Sequence, residues 1–374
     1  MNDHSNILLT GASGILGSHI LFELIQQYTE GVLKGKIVIV VRSGKKYSAL
    51  QRVREILQNP FLPDKMKNIP VEEALNHIVL IDSELHHFTR EKLPVLPGGF
   101  TVIHAAASVN LGQNEAIKAE LFRNNYLGTV HFINEILPVT KKFIFISTAY
   151  SSGHRSGRIS NDFFTRNDYH FRNPYEYFKH QTEIYVRDLC SKHQIEWQVL
   201  RPSIICGRLI EAPLYAISRF LVFYLFARYV INLRNRIGNH FIQLHVPKEA
   251  TINIVPVDYV AKVVVSVMKE SVRQLNIVHP KGVSCRTLFE KGFELIDFCN
   301  YSFSENLPEP TNPLERLLFS TIGQQLGPYI DTPVHYFDTS ALQTIYPENN
   351  VPEIETYFCE LLTFAANRKF VELY

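Results

Sequence analysis

Tyr175 and Lys179 sit four residues apart in Tyr175-Glu176-Tyr177-Phe178-Lys179, a spacing that sets both side chains on one face of a helix, one turn apart. A phenol, with an ordinary pKa of about 10, exchanges protons poorly at neutral pH unless a nearby cation stabilises its anion. Lys179 is expected to supply that cation. A hydroxyl that binds a substrate oxygen would complete such a site, and Ser147-Thr148 closes an apolar run upstream. Near the N-terminus, Thr10-Gly11-Ala12-Ser13-Gly14-Ile15-Leu16-Gly17 follows one apolar run and opens a helical pattern. Glycines in that place allow a sharp turn and a close backbone approach to a pyrophosphate, whose charge rests on the helix's first N–H groups. A Tyr-x-x-x-Lys pair alone also describes a surface helix, and a glycine turn alone a tight bend. Together they imply proton chemistry beside a nicotinamide dinucleotide.

The elements that must carry these groups are legible as short apolar runs at residues 6–9, 37–41, 77–81, 101–104 and 143–146. Each is too continuously β-branched and apolar for a half-exposed strand and suits a parallel strand covered on both faces. Residues 16–27 and 115–137 have the length of the helical crossovers that a parallel sheet requires. The expected fold is a doubly wound α/β sheet of Rossmann type. A sixth run, 197–200, ends in Arg201-Pro202, after which the pattern dissolves until 252–258. We therefore expect a dinucleotide-binding domain over 1–208 plus 251–282, interleaved with a smaller substrate lobe over 209–250 plus 283–374. Residues 306–313, rich in proline, read as a loop.

The chain has 374 residues, 46% of them hydrophobic, and a net charge of +2, enough apolar material for a large core and no sign of a disordered or nucleic-acid-binding chain. Its five cysteines are odd in number, dispersed and without C-x-x-C spacing, which argues against a disulfide framework and a zinc site and for a reducing, cytoplasmic setting. The first residues run straight into a strand pattern without the features of a signal peptide. Residues 214–233 are apolar enough to resemble a membrane span, but Arg219 and Arg228 interrupt them. This stretch reads as an amphipathic or core helix, with an acyl tunnel, a lid or peripheral membrane contact as its functional alternatives. Arg228, Arg234 and Arg236 form either a solvated face or a contact for the phosphates of a carrier.

Where dinucleotide folds place an acidic residue after the second strand to hold ribose hydroxyls, this chain has Arg42 followed by Ser43. A guanidinium binds a 2′-phosphate in a fork where a carboxylate repels it, so NADPH is favoured over NADH. Asp82, ending the third run, is either an acceptor for the adenine amino group or a turn cap.

From residue 6 to about 279 the chain resembles the extended short-chain dehydrogenase/reductases. Besides the two signatures, His104-Ala105-Ala106-Ala107 resembles the segment that walls the cofactor, Asn125-Tyr126-Leu127-Gly128-Thr129 a helix segment, and Arg201-Pro202-Ser203 the turn beside the nicotinamide. Ser147-Thr148-Ala149-Tyr150 with Gly153, Arg155, Gly157 and Ile159, and residues 253–260, are most similar to the thioester-reductase and fatty acyl-CoA reductase branch. That resemblance implies Thr148, Tyr175 and Lys179 as catalytic residues. It implies a cofactor site built from Thr10, Gly11, Ser13, Gly14, Ile15, Leu16, Gly17, Arg42, Asp82, Ala105, Ala106, Asn125, Lys179, Pro202 and Ser203, with no metal. The implied reaction is NADPH-dependent reduction of an acyl-CoA or an acyl carrier protein thioester to the aldehyde, with further reduction to the alcohol left open. The chain departs from the branch in having Ser160-Asn161-Asp162 where a glutamate is common, and Phe178 where a serine is common. Two other readings share the same frame: a dehydrogenase or epimerase acting on a secondary alcohol or sugar nucleotide, and an NADP-binding protein without turnover. No adenylation or carrier module is recognisable, so the substrate is expected to arrive already activated.

Overall fold

The apolar runs pair side by side because their backbone groups, once buried, must be satisfied by neighbouring strands. The computed structural model describes residues 6–162, 170–237, 240–332, 334–347 and 351–374. In it the runs become β1 (Asn6–Thr10), β2 (Ile37–Val41), β3 (Ile78–Asp82), β4 (Phe100–His104) and β5 (Thr140–Ile146), joined by β6 (Glu196–Pro202) and β7 (Gln274–Ile277). The order is β7-β6-β5-β4-β1-β2-β3, and every pair is parallel. Both β1 and β2 are buried at every position, as a centre of a doubly wound sheet must be. Strand order reverses beside β1, and this switch point leaves a crevice over the carboxyl ends of β1 and β4.

Helices cover both faces. The chain order of those used below is α1 (Ile15–Thr29), α2 (Ala49–Gln58), α3 (Glu115–Leu121), α4 (Gly128–Ile136), α5 (Pro174–Lys192), α6 (Phe223–Ile237), α7 (Val257–Val267), α8 (Cys285–Glu294), α9 (Ile322–Ile330) and α10 (Ile354–Asn367). On one face Ile20 and Leu24 of α1 pack with Val260 and Val264 of α7. On the other, Phe132 and Ile136 of α4 meet Phe143 and Val186. A third apolar cluster gathers Phe223 and Phe226 of α6, Phe293 of α8 and Phe358 and Leu361 of α10, away from the sheet strands.

Two expected helices are interrupted. Residues 115–137 do not run as one helix: a π-helical turn, Phe122–Leu127, separates α3 from α4. The widened turn carries Asn125, which is buried and bonded to the backbone of Ser108. The helix expected over 214–233 begins only at Phe223. Tyr215 and Val222 adopt φ of 67° and 53°, incompatible with a right-handed helix, and the Tyr215 and Ala216 backbone pairs instead with Arg208. Among the described residues no helix is long and apolar enough to cross a membrane. Residues 306–312 form the expected loop, and Pro313 opens the helix Pro313–Ser320, a position where its missing N–H costs nothing.

Candidate active site

The turn after β1 is shaped by contacts that tolerate no side chain. Gly11 has φ +76°, and a Cβ there would lie 2.6 Å from the Ala105 carbonyl carbon and the Ala106 nitrogen. A Cβ on Gly17 would lie 2.0 Å from the Gly11 oxygen. The Gly14 N–H donates to the Gly11 carbonyl at 2.8 Å, and α1 starts immediately after without a side-chain cap or an acidic residue in its first turn. Its leading N–H groups and the positive end of its dipole are thus left to an anion.

Two adjoining hollows meet at Gly14. The larger, about 620 Å³, is walled by Gly11, Ser13, Arg42, Ala105 and Ala106. Four arginines line it: Arg42, Arg52 of α2, Arg123 and Arg219. Arg52 is anchored through Nη1 to the Arg42 carbonyl at 2.7 Å and through Nη2 to Ser13 Oγ at 3.0 Å. Partial burial, then the charges of Arg219 and Arg42, pull its pKa down. Arg42 itself, two-thirds exposed, pairs with Glu84 at 3.0 Å.

The second hollow, about 340 Å³, holds Thr148, Tyr175 and Lys179 together with Ile15, Leu16, Gly17, Pro202 and Ser203. Thr148 follows β5, where its hydroxyl accepts from the Tyr150 N–H at 3.3 Å. Tyr175 lies in the first turn of α5, which Asn173 caps by accepting the Glu176 N–H at 3.1 Å, with Pro174 at the first helical position. One turn on, the buried Lys179 donates through Nζ to the Ile146 carbonyl at 2.8 Å and lies 4.8 Å from the centre of the Phe145 ring. Burial pulls its pKa down to about 8, against a smaller opposing pull from Glu183.

The expected effect of Lys179 on the phenol is not what the structure shows. Burial, then the Glu176 carboxylate, push the Tyr175 pKa well above its ordinary value, and the lysine is turned onto the Ile146 carbonyl. Three residues expected at the cofactor work from behind the wall. Thr10 is sealed in the sheet, its hydroxyl paired with His104 Nδ1 at 2.9 Å and accepting the Ala106 N–H at 3.3 Å. Asn125 grips both the N–H and the carbonyl of Ser108 at 2.8 Å. Asp82 is taken by Ser43, accepting its N–H at 2.8 Å and its hydroxyl, so the neighbouring Ser83 lines the hollow in its place.

Behind the catalytic loop lies a buried carboxylate. Glu183 accepts from Ser147 Oγ, from Ser151 Oγ at 2.6 Å, and from Arg201 Nη2 at 2.7 Å, tying both sides of Thr148 to the helix that carries Tyr175 and Lys179. Sequence reasoning missed this clamp, together with Arg52, Arg219 and Tyr329. Arg52 carried a faint signal, being on the first helix after the strand that ends at the cleft; Arg219 and Tyr329 carried none. The side chains of Arg234 and Arg236 lie outside the described residues. No grouping of three or more potential metal ligands occurs among the described residues.

These residues fit a dinucleotide. The glycine cradle would be filled by any Cβ, the arginines bring positive charge to the first hollow, and the buried Ser203 Oγ has no hydrogen-bond partner on the wall of the second.

Residues 9–264 match the family profile described as Male sterility protein, an NAD-binding family. Over 338 residues the chain is 25% identical to a putative fatty acyl-CoA reductase of Drosophila melanogaster; the match covers 79% of this chain and 57% of that protein. Among solved structures it resembles the terminal R domain from the myxalamid PKS-NRPS biosynthetic pathway, at TM-score 0.68 and 18% identity, over 98% of this chain and 92% of that one. It also resembles the UDP-glucuronic acid 4-epimerase from Bacillus cereus in complex with NAD, at TM-score 0.62 and 17% identity, over 97% and 98% of the two chains. At such identities the two structural likenesses speak for the fold alone.

Proposed function

This chain belongs to the male sterility protein family of NAD-binding domains, and on that premise we propose that it reduces acyl thioesters with a nicotinamide dinucleotide, releasing an aldehyde and a thiol. The observation that carries the reading is the meeting of Thr148, Tyr175 and Lys179 on the wall of one hollow, which opens at Gly14 onto the glycine cradle. When bound, the reduced nicotinamide supplies a hydride to the carbonyl carbon. The Tyr175 phenol, kept protonated by burial, donates a hydrogen bond and then a proton to the carbonyl oxygen as it becomes an alkoxide. Thr148, whose oxygen accepts from the Tyr150 N–H, has its own O–H to donate to the same oxygen. Lys179 spends one N–H on the Ile146 carbonyl, and its positive charge lowers the cost of the developing anion. The hemithioacetal so formed breaks its C–S bond to give the aldehyde, the thiol leaving with the hydroxyl proton.

Arg52 and Arg42 support NADPH over NADH, with Arg52 as the main contact because its geometry is fixed on Ser13. The groove bounded by Gln113, Asn114, Arg228 and Gln325 suits an amide-bearing pantetheine arm, of coenzyme A or of a carrier protein. We assign the sheet domain to 1–208 plus 251–282 and the substrate lobe to 209–250 plus 283–374. All five cysteines are unpaired, in keeping with a cytoplasmic setting.

The test is nicotinamide absorbance with NADPH or NADH and a panel of acyl-CoA thioesters, with thiol titrated in parallel. Coupled loss of NADPH and release of thiol is the expected result; oxidation of a secondary alcohol or turnover of a sugar nucleotide without thiol release would replace the reading. Tyr175→Phe is expected to lower kcat by about 10²- to 10⁴-fold with cofactor binding retained.

A further inference from the structure

Three residues of the catalytic hollow, Ile204, Val222 and Tyr329, are also walls of a second void. It measures about 40 Å³ and presents no polar surface. Phe226 of α6, Leu288 and Phe289 of α8, Leu326 of α9, Phe358 of α10 and the strand residue Ile252 line it. Room for a water needs only about 10–15 Å³, but a water here would find no strong hydrogen-bond partner, the Cys285 thiol being the one weakly polar group among the walls. Protein interiors pack to crystalline density and lose stability for each void they keep. A dry void that shares walls with a reaction site therefore calls for an apolar occupant.

The shared walls are built as a junction. Tyr329 turns its ring to the void while its hydroxyl accepts from Asn173 Nδ2 at 2.8 Å, at the cap of the helix that carries Tyr175. Its ring is further held edge-on to Tyr150, with centroids 5.3 Å apart, and beneath the Arg172 guanidinium at 5.3 Å. Val222, a β-branched residue, is kept at φ 53°, a strained conformation that persists only where the surroundings impose it. Sugars and nucleotides do not suit the void, since their hydroxyls would be buried without partners. A slender alkyl chain does.

We infer that this void is the terminal pocket for the alkyl tail of the acyl substrate, reached between Val222 and Tyr329, and that Phe226, Leu288 and Leu326 set the chain-length preference; the inference rests on the thioester-reductase reading. Each methylene taken from water into the pocket raises kcat/KM about fourfold. Filling the pocket with Leu288→Phe or Leu326→Phe removes room for about one methylene, so the lauroyl-to-butyryl ratio of kcat/KM falls about fourfold. Two measurements read this: the thioester ratio, and calorimetric titration of laurate into protein saturated with NADP⁺, with melting temperature and cofactor affinity reporting that each variant is folded. A fall in the ratio and weaker laurate binding in both variants is the expected result. An unchanged ratio with unchanged laurate binding overturns the pocket. Where wild-type protein turns over no thioester at all, laurate binding decides alone: weakening in the variants keeps the pocket and removes the reductase reading, and no weakening removes the pocket too. Where the phenylalanine variants do not fold, Phe226→Leu, which widens the pocket, must raise the palmitoyl-to-lauroyl ratio, and an unchanged ratio overturns the inference.

Discussion

Replacing Lys179 with methionine exchanges a charge the fold can hardly hold for an apolar chain of similar length. The lysine is 3% exposed, and burial keeps its pKa at about 8 against an ordinary 10.5. At about 1.4 kcal/mol per pH unit, carrying the proton costs the folded protein about 3 kcal/mol at neutral pH. Methionine removes that cost and gives up the charged bond to the Ile146 carbonyl, worth about 2 kcal/mol, for a net gain of about 1 kcal/mol. The sign follows from proton counts. Between pH 8 and 10.5 the unfolded wild-type chain binds more protons than the folded one, so its stability rises with pH across that window. The methionine variant's advantage is therefore full below about pH 8 and gone by pH 10.5. Urea unfolding at pH 7 and pH 10.5 measures it, in parallel with kcat, which is expected to collapse. A variant less stable than wild type at pH 7, or an advantage that does not shrink with pH, refutes the argument that burial of this ammonium is held against the fold's own stability.

Arg52→Gln removes the anchored guanidinium and should raise KM for NADPH by about 10- to 100-fold while changing KM for NADH little, as initial rates with the two cofactors will show; equal losses would mean that Arg52 only shapes the turn through Ser13. Gly17→Ala drives a Cβ to 2.0 Å from the Gly11 oxygen, so the turn must open; cofactor dissociation, followed by nicotinamide fluorescence, should weaken at least about tenfold, with a loss of about 1–3 kcal/mol in stability. Glu183→Gln leaves the fully buried Arg201 without its carboxylate, and chemical denaturation should register a loss of about 3–5 kcal/mol.

What was legible in the sequence was local. The glycine turn could be read because three glycines within seven residues encode one bend, and Tyr175 with Lys179 because one helical turn joins them. The sheet centre was legible because β2 is apolar throughout and β1 at its three central positions, whereas β7, Gln-Leu-Asn-Ile, is too short and too polar to stand out. Arg219 shows the opposite case. Hydropathy assigned it to a helix, but positive φ at Tyr215 and Val222, which composition does not encode, turns its segment into irregular chain beside the cofactor hollow. The motif assigned Thr10, Asn125 and Asp82 to the cofactor, whereas in the fold they bond His104, Ser108 and Ser43, partners that only tertiary structure reveals.

The clamp at Glu183 makes the two halves of the site unequal as products of folding. Its bonds to Ser147, Ser151 and Arg201 join residues 36, 32 and 18 positions apart, all within the single unit formed by β5, α5 and β6. The wall of the nucleotide hollow, by contrast, is closed by Thr10 reaching His104 and Ala106 across 94 and 96 positions. Closing the longer loop costs about 1 kcal/mol more chain entropy. The Thr148 loop is thus tied down by near neighbours, and the wall beside the glycine turn by distant ones. When the full-length chain refolds, the shorter loops around Glu183 close first, whereas synthesis runs the other way, since residues 10–106 emerge before 147–201.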